Sequence, residues 1–400
     1  MSERGGGDGF DAAAQLAALE RQMLLRREAV RGEPGGGAFT VMGGRRLLNL
    51  SSNDYLGLAG HPAIVEAACE AARTWGCGSG ASRLVCGTTR LHVELEEALA
   101  GFLGVGACLV FGSGYLANVG ILSALASRSD LLFSDRCNHA SIVDGCKLSE
   151  ASIRLFDHTR CDRLRELLVE SPYPGKRIIV VESTFSMDGD EAPLEEISAA
   201  ARASGALLIV DEAHSFGLKG PGGRGLAARI TGGMPDVVMG TFGKALGAYG
   251  AFAATPPALR SLLVNRSRTA IYSTALPPPI AGAARRALAI VAGDEGEALR
   301  ERLRRNCRLM KEAIASSGWK SRGGEGPIFA LWAGSARSAL EAERAFIERG
   351  IFLRAIRFPT VPEGSERLRL VTTALLSEED IAGAAEAMRA VRALVPDDGM

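Results

Sequence analysis

Residues 236–250 read DVVMGTFGKALGAYG. An apolar strand, Val237–Met239, stops at Gly240, and the chain then bends through Thr241, Phe242 and Gly243 to present Lys244. Glycines on both sides of the lysine let other groups crowd close. The window is nearly uncharged, an odd setting for a lysine that serves only solubility. Desolvation there lowers a lysine pKa and frees the neutral amine, the form that Schiff-base chemistry requires. An incidental lysine at a strand–helix turn is the competing reading, and this window alone leaves both open.

Outward from that stretch the chain alternates. Apolar runs fall at Cys108–Phe111, Leu131–Phe133, Ile153–Phe156, Ile178–Val181, Leu207–Val210, Val237–Met239 and Ala251–Ala253. Segments of helical length and pattern, such as Leu116–Ala126 and Leu194–Ala203, separate most of them. The pattern predicts an α/β fold whose mainly parallel, seven-stranded sheet is covered on both faces. Ligands in such sheets gather at the carboxyl ends of the strands. Polar residues stand just past those ends: Gly112-Ser113-Gly114-Tyr115, Glu182 with FSMDGD, Asp211-Glu212-Ala213-His214, and Thr241 with Lys244.

On either side the character changes. Residues 1–50 read as an N-terminal helix and arm: a glycine-rich start, a helix from Asp11 to about Val30, Arg26, Arg27 and Arg31 at its end, and a hairpin about Gly43–Gly44. Within a large domain of 51–285, SSNDYLGLAGHP is a turn-forming loop, Pro62 opens a helix running to about Trp75, and a helix is expected over Leu91–Leu103. GCGSGASRLVCGTT, residues 76–89, is either a linker or a backbone that approaches a ligand. After the proline-stiffened IYSTALPPP at 271–279, residues 286–400 read as a smaller α+β domain. It contains an arginine-rich helix (Glu297–Ala315), a strand pair (Phe329–Trp332, Phe352–Ala355), the loop IRFPTVPEGSERLRL and a closing helix from Glu378.

Composition narrows the partners. Basic and acidic residues balance at 46 each, so no bulk field draws the chain to nucleic acid or to an anionic membrane. The apolar fraction of 47% excludes a disordered chain. Eight cysteines form no C-x-x-C pair, which fits a reducing compartment. The first residues lack the basic start and apolar core of a signal peptide, and no apolar run is long enough to span a bilayer, so a cytoplasmic protein is expected. No histidine pair or Cys/His cluster has metal spacing, so no metal is expected.

Gly112-Ser113-Gly114-Tyr115 opens a helix after a strand, where free N–H groups bind phosphate. With Ala117 it also reads G-x-G-x-x-A, and Asp135 follows the next strand, so a nicotinamide dehydrogenase competes. That rival gives Lys244 and Asp211 no work. Asp211, directly after LLIV, can keep a pyridine nitrogen protonated, although a helix N-cap aspartate is the plainer role. His214 can reach a phenolic oxygen, and His139, in NHAS, can lie against a ring face. Together these groups point to pyridoxal 5'-phosphate.

The chain resembles the α-oxoamine synthases among the fold-type-I, aspartate-aminotransferase-like enzymes, from about Leu24 to the last helix. SSNDYLGL, GSGASRLVCGT, NHAS, ESTFSMDGD, DEAHSFG, TFGKALG, IYSTALPP and PTVPEGSERLRL carry the resemblance, in order. It implies that Lys244 holds the cofactor as internal aldimine and acts as base, with Asp211 on the ring nitrogen, His214 and Ser186 on the phenolic oxygen, and His139 stacked on the ring. It also implies that Gly114, Tyr115 and Thr241 bind the phosphate, while Ser273 and Thr274 reach the phosphate of a partner subunit in a homodimer with shared sites. Asn53 and Arg369 are expected to hold the amino acid carboxylate, and Arg27, Arg357 and Thr360 the acyl substrate. The implied reaction joins L-alanine to an acyl thioester, pimeloyl-CoA or pimeloyl-carrier protein, with loss of carbon dioxide. Arg357 favours an acyl chain ending in carboxylate. Phe358 replaces the usual first proline before TVP, and Leu375–Leu376 depart from a TAxH-like stretch, so glycine-using synthases, other acyl donors and a catalytically silent subunit remain alternatives.

Overall fold

A computed structural model describes residues 11–32, 37–170 and 173–395. All seven apolar runs are strands of one sheet, ordered Ala107–Phe111, Ala251–Thr255, Val237–Thr241, Leu207–Asp211, Arg177–Glu182, Leu131–Asp135 and Ser152–Phe156. Ala251–Thr255 runs antiparallel to both neighbours, and the other pairs are parallel. The strands Leu131–Asp135, Val237–Thr241 and Ala251–Thr255 are buried at every position, as a sheet covered on both faces requires. Successive residues point to opposite faces: Ile179 and Val181 enter one apolar cluster, Ile178 and Val180 the other. Phe252 fills the space over Gly240, where an added Cβ would meet the ring at 2.4 Å. Emptying that volume by Phe252→Ala costs about 3–5 kcal/mol.

Gly247 joins the lysine turn to the SSNDYLGL loop. Its φ of +61° suits glycine, and a Cβ there would lie 2.2 Å from the Ala59 nitrogen. The loop carrying Asn53 and Tyr55 can therefore pack directly on the Lys244 turn.

A third apolar cluster gathers the C-terminal elements around Phe346, Leu368, Leu370 and Met388, and it includes Leu48 and Leu50 from the N-terminal hairpin. That hairpin, Phe39–Met42 with Arg45–Asn49, turns through Gly43 and Gly44, both left-handed. Three expectations need correction. The first helix covers Ala12–Arg21 and stops before Val30, because Met23 turns left-handed and the carbonyls of Met23 and Leu25 go to Arg357. Arg26, Arg27 and Arg31 thus follow the helix rather than end it. The stretches Phe329–Trp332 and Phe352–Ala355 are not partners: Ile328–Trp332 pairs with Arg367–Val371, while Ile351–Phe352 lies parallel to Arg45–Asn49. Arg367–Val371, which closes the expected loop, is itself a strand, its leucines in the core and its arginines alternating with them.

Candidate active site

The polar groups that follow the strand ends converge. Lys244, half-buried, points its Nζ at His214 Nε2, 2.7 Å away. The other ring nitrogen of His214 lies 2.6 Å from Tyr55 Oη, and Tyr55 donates to Asn53 Oδ1 at 3.2 Å. Arg369 Nη1 donates to the same Asn53 oxygen at 3.1 Å, and Arg369 Nε to the Ser186 carbonyl at 2.6 Å. Because Asn53 Oδ1 only accepts, Tyr55 spends its proton there and accepts from His214 Nδ1–H. The histidine then keeps a bare Nε2 toward the lysine.

Charge states follow the same logic. Burial pulls the Lys244 pKa down to about 8, against the attraction of Asp211 and Glu182, with Arg369 adding to the decrease. His214 is held well below its ordinary value by burial and then by Lys244 and Arg369, so the ring is neutral. Glu182 sits directly opposite Asp211 on the neighbouring strand. Burial and the Asp211 charge push its carboxyl well above the usual range, although its Oε1 accepts from the His139 N–H at 2.5 Å.

Asp211 Oδ1 accepts from Ala213 N at 2.8 Å and Oδ2 from Asn118 Nδ2 at 2.8 Å. His139 caps the helix Ala140–Leu148 and keeps part of its surface open to solvent. Packing of protein around the imidazole partly desolvates it and lowers its pKa from the ordinary value, Asp211 opposing the decrease and Lys244 adding to it. Ser113 caps the helix Gly114–Leu125, and the Thr241 hydroxyl lies 3.9 Å from where a Gly114 Cβ would stand. Thr241 also donates to the Gly250 carbonyl at 2.9 Å and accepts from Gly243 N at 3.2 Å, which fixes the turn. A helix N-terminus and a hydroxyl thus face one spot, a setting for an anion.

Other expected residues lie elsewhere or have other partners. Tyr115 is exposed and its phenol donates to Asp144 Oδ2 at 2.5 Å. Ser273 and Thr274 run beside the glycine-rich segment, through a Ser82–Thr274 bridge and an Ala275 N to Ala81 O bond of 3.0 Å. The Ser273 hydroxyl donates to the Thr274 carbonyl at 3.4 Å rather than reaching toward this chain's own Gly114 or Thr241. Arg27, Arg357, Thr360 and Arg369 line one cavity of about 440 Å³, together with Arg26 and Arg354. Inside it the Arg357 guanidinium is already engaged, donating to the Met23 and Leu25 carbonyls. Arg27 pairs with Glu20, and Arg26 reaches Phe358 O and Thr360 Oγ1 at 3.4 Å each.

Tyr55, Asn118 and Glu182 belong to the site although sequence reasoning gave them no role there. For Glu182 the position at a strand end was the signal; for Asn118 and Tyr55 only the fold supplies one. Asp135, Cys137 and His158 bring donor atoms within 4.8 Å of one another, a proximity that their spacing did not announce. His158 there gives Nδ1 to Asp135 and Nε2 to Asp190, at 3.2 and 3.0 Å, with its face on Phe185. Among the described residues no helix is long and apolar enough to cross a membrane.

Residues 45–388 match the family model for aminotransferase class I and II, and the chain belongs to that family. A curated 8-amino-7-oxononanoate synthase from Geobacter metallireducens is 46% identical over 382 residues, covering 95% of this chain and 97% of that protein. A protein of the same name from Methylococcus capsulatus is 44% identical over 381 residues, again 95% of this chain and 97% of its own length. Among solved structures, a serine palmitoyltransferase from S. paucimobilis with bound PLP–myriocin superposes with a TM-score of 0.90 at 30% identity, over 96% of each chain. Family membership removes the dehydrogenase alternative.

Proposed function

We propose that the protein condenses L-alanine with a pimeloyl thioester, on coenzyme A or a carrier protein, releasing the thiol, carbon dioxide and 8-amino-7-oxononanoate. It does so in the cytoplasm as a homodimer with pyridoxal 5'-phosphate, residues 51–285 forming the cofactor domain and 286–400 the small domain. The observation that carries the reading is Lys244 Nζ, desolvated and 2.7 Å from His214 Nε2, beside the facing carboxyls of Asp211 and Glu182.

The residues present fit the cofactor. Lys244 would hold its aldehyde carbon, Asp211 its ring nitrogen and His139 its ring face, while His214, its bare Nε2 accepting the phenolic hydrogen, would hold the phenolic oxygen with Ser186. The helix N-terminus at Gly114–Tyr115 with Thr241 would take the phosphate, Ser273 and Thr274 completing that site from the other subunit. When bound, the cofactor supplies an electrophilic carbon and a protonated ring that accepts the electron pair left at the substrate Cα.

The chain's own residues do the rest. A pKa of about 8 leaves a fraction of Lys244 neutral at physiological pH, so Nζ can take the Cα proton once substrate has displaced it. His214 Nε2, kept bare by the Tyr55–Asn53 relay, accepts from that amine and orients it. Arg369, itself held by Ser186 and Asn53, presents a fixed guanidinium to the alanine carboxylate. The arginines lining the neighbouring cavity give an anionic acyl chain its counter-charges.

Borohydride treatment of the cofactor-loaded protein followed by peptide mass analysis should label Lys244. Alanine, glycine and serine assayed against pimeloyl, acetyl, succinyl and palmitoyl thioesters should show alanine with pimeloyl fastest. Faster turnover of serine with palmitoyl-CoA would replace this reading with that of the structural neighbours.

A further inference from the structure

Asn118 lies on the helix Gly114–Leu125 and is 2% exposed. Its single amide nitrogen donates one hydrogen to Asp211 Oδ2 at 2.8 Å and the other to Ser141 Oγ at 2.9 Å. Ser141, receiving that hydrogen, sends its own proton to His139 Nδ1 at 2.8 Å, and the Ser141 N–H reaches the same nitrogen at 3.2 Å. With Nδ1 accepting twice, His139 carries its hydrogen on Nε2. Two groups assigned to different parts of the cofactor ring are thereby tied to one amide on the helix whose N-terminus faces the phosphate site.

We propose that Asn118 is a positioning residue that sets the Asp211 carboxylate and the His139 ring together for the cofactor, an inference that rests on the reading of the site given above. The chemistry is particular to an amide. A hydroxyl has one hydrogen to give and a carboxylate none, whereas this position must donate to two acceptors at once. Asp211 has Glu182 facing it across the sheet, and without the Asn118 hydrogen its Oδ2 keeps no side-chain donor in a buried place. A residue that only pinned helix to strand would need neither the second hydrogen nor the neutral charge.

Wild type, Asn118→Ala, Asn118→Asp and Ser141→Ala, each checked by thermal melting, are titrated with pyridoxal 5'-phosphate by protein fluorescence between pH 6 and 9. Asn118→Ala should weaken binding by about 10- to 100-fold throughout, the loss of a hydrogen bond to a charged group. Asn118→Asp, the same shape, should lose comparable affinity at pH 8 and recover much of it at pH 6, where the new carboxyl takes a proton and donates to Asp211. Lys244, His139 and Glu182, with Asp144, Asp135 and Arg369 beyond them, also act there but are common to every variant, so each profile is read against wild type. Ser141→Ala, which leaves Asp211 its donor, should change affinity less than about threefold. Wild-type affinity in both Asn118 variants, equal pH-independent losses in the two, or a Ser141→Ala loss matching Asn118→Ala would each overturn the proposal. Should Asn118→Ala fail to fold, the pH response of Asn118→Asp decides. A wild type that neither binds cofactor nor labels at Lys244 would instead overturn the reading of the site, and the inference with it.

Discussion

The two walls of the site were built by different rules. On the cofactor side, Glu182, Asp211 and Thr241 end their strands, and His214 and Lys244 lie three residues past two of those ends. Parallel strands whose carboxyl ends share one edge bring such residues together automatically. On the substrate side, Arg369 reaches Asn53 across 316 residues and Arg26 reaches Thr360 across 334. Those pairings depend on how the N-terminal segment lies against the C-terminal sheet, and no local pattern encodes them. The cofactor wall is therefore the rigid one, held at its back by the sheet, while the substrate wall is assembled from segments that meet only in the finished fold.

The sharpest way to break that contrast is at its rigid end. Lys244→Ala removes one amine from a turn otherwise held by Thr241 and Gly247, so the melting temperature should stay close to wild type while kcat falls by about 10³-fold or more. A variant with retained turnover would undo the assignment. In wild type freed of cofactor, uptake should quicken as pH rises through about 8, the lysine losing its proton over that range. A flat rate between pH 7 and 9 would show that another group controls capture.

Arg369 stands where the walls meet. Arg369→Ala should raise the KM for alanine by about 10- to 100-fold, the scale of a lost charge-assisted pair, with a smaller change in the KM for the thioester. Equal effects on both would mean that the arginine serves the whole cleft rather than one carboxylate.

Two buried histidines sharpen the comparison further. His214, between an amine and a phenol, stays neutral, whereas His158 lies between two carboxylates. Burial draws the His158 pKa down, but the Asp135 and Asp190 hydrogen bonds and charges outweigh it and raise it to about 9. A pKa raised on folding gives stability that is complete below about 6.5 and lost as pH climbs through 9, at most about 3 kcal/mol. Thermal midpoints should fall between pH 7 and 10 in wild type and less steeply in His158→Gln. Parallel profiles would deny His158 this part.

How much could be read in advance follows from the same division. Every strand of the large sheet was legible: strands buried on both faces leave apolar runs, and the half-exposed edge strand Ser152–Phe156 still shows Ile153, Leu155 and Phe156 around Arg154. Asp211, His214 and Lys244 were legible because they sit at or just past the ends of those runs. Asn118 was not, since an asparagine inside GYLANVGILSAL looks like any polar residue of a helix until Asp211 is placed 2.8 Å away. RLRLV went unrecognised for a different reason: its alternation is that of a strand, but two arginines argue for solvent. Both are buried, Arg367 against Asp188 and Arg369 against Ser186 and Asn53. The first helix failed at Met23 because contacts with Arg357 outcompete helical propensity over residues 22–30.

Arg357 gives the smallest and most discriminating effect. A guanidinium free in the cavity would bind the acyl carboxylate directly, and its loss would raise the thioester KM by tenfold or more. The guanidinium is instead committed to two backbone carbonyls of the arm, and burial together with Arg26 lowers its pKa, so it reads first as a clasp. Arg357→Ala should therefore loosen residues 22–31, raise proteolytic cutting there, and raise the thioester KM only about three- to fivefold, by misplacing Arg26 and Arg27. Arg26→Ala, which leaves the clasp intact, should affect the same KM without added cutting. A tenfold KM rise in Arg357→Ala with an undisturbed arm would return the direct role to Arg357, and the substrate wall would then be as preformed as the cofactor wall.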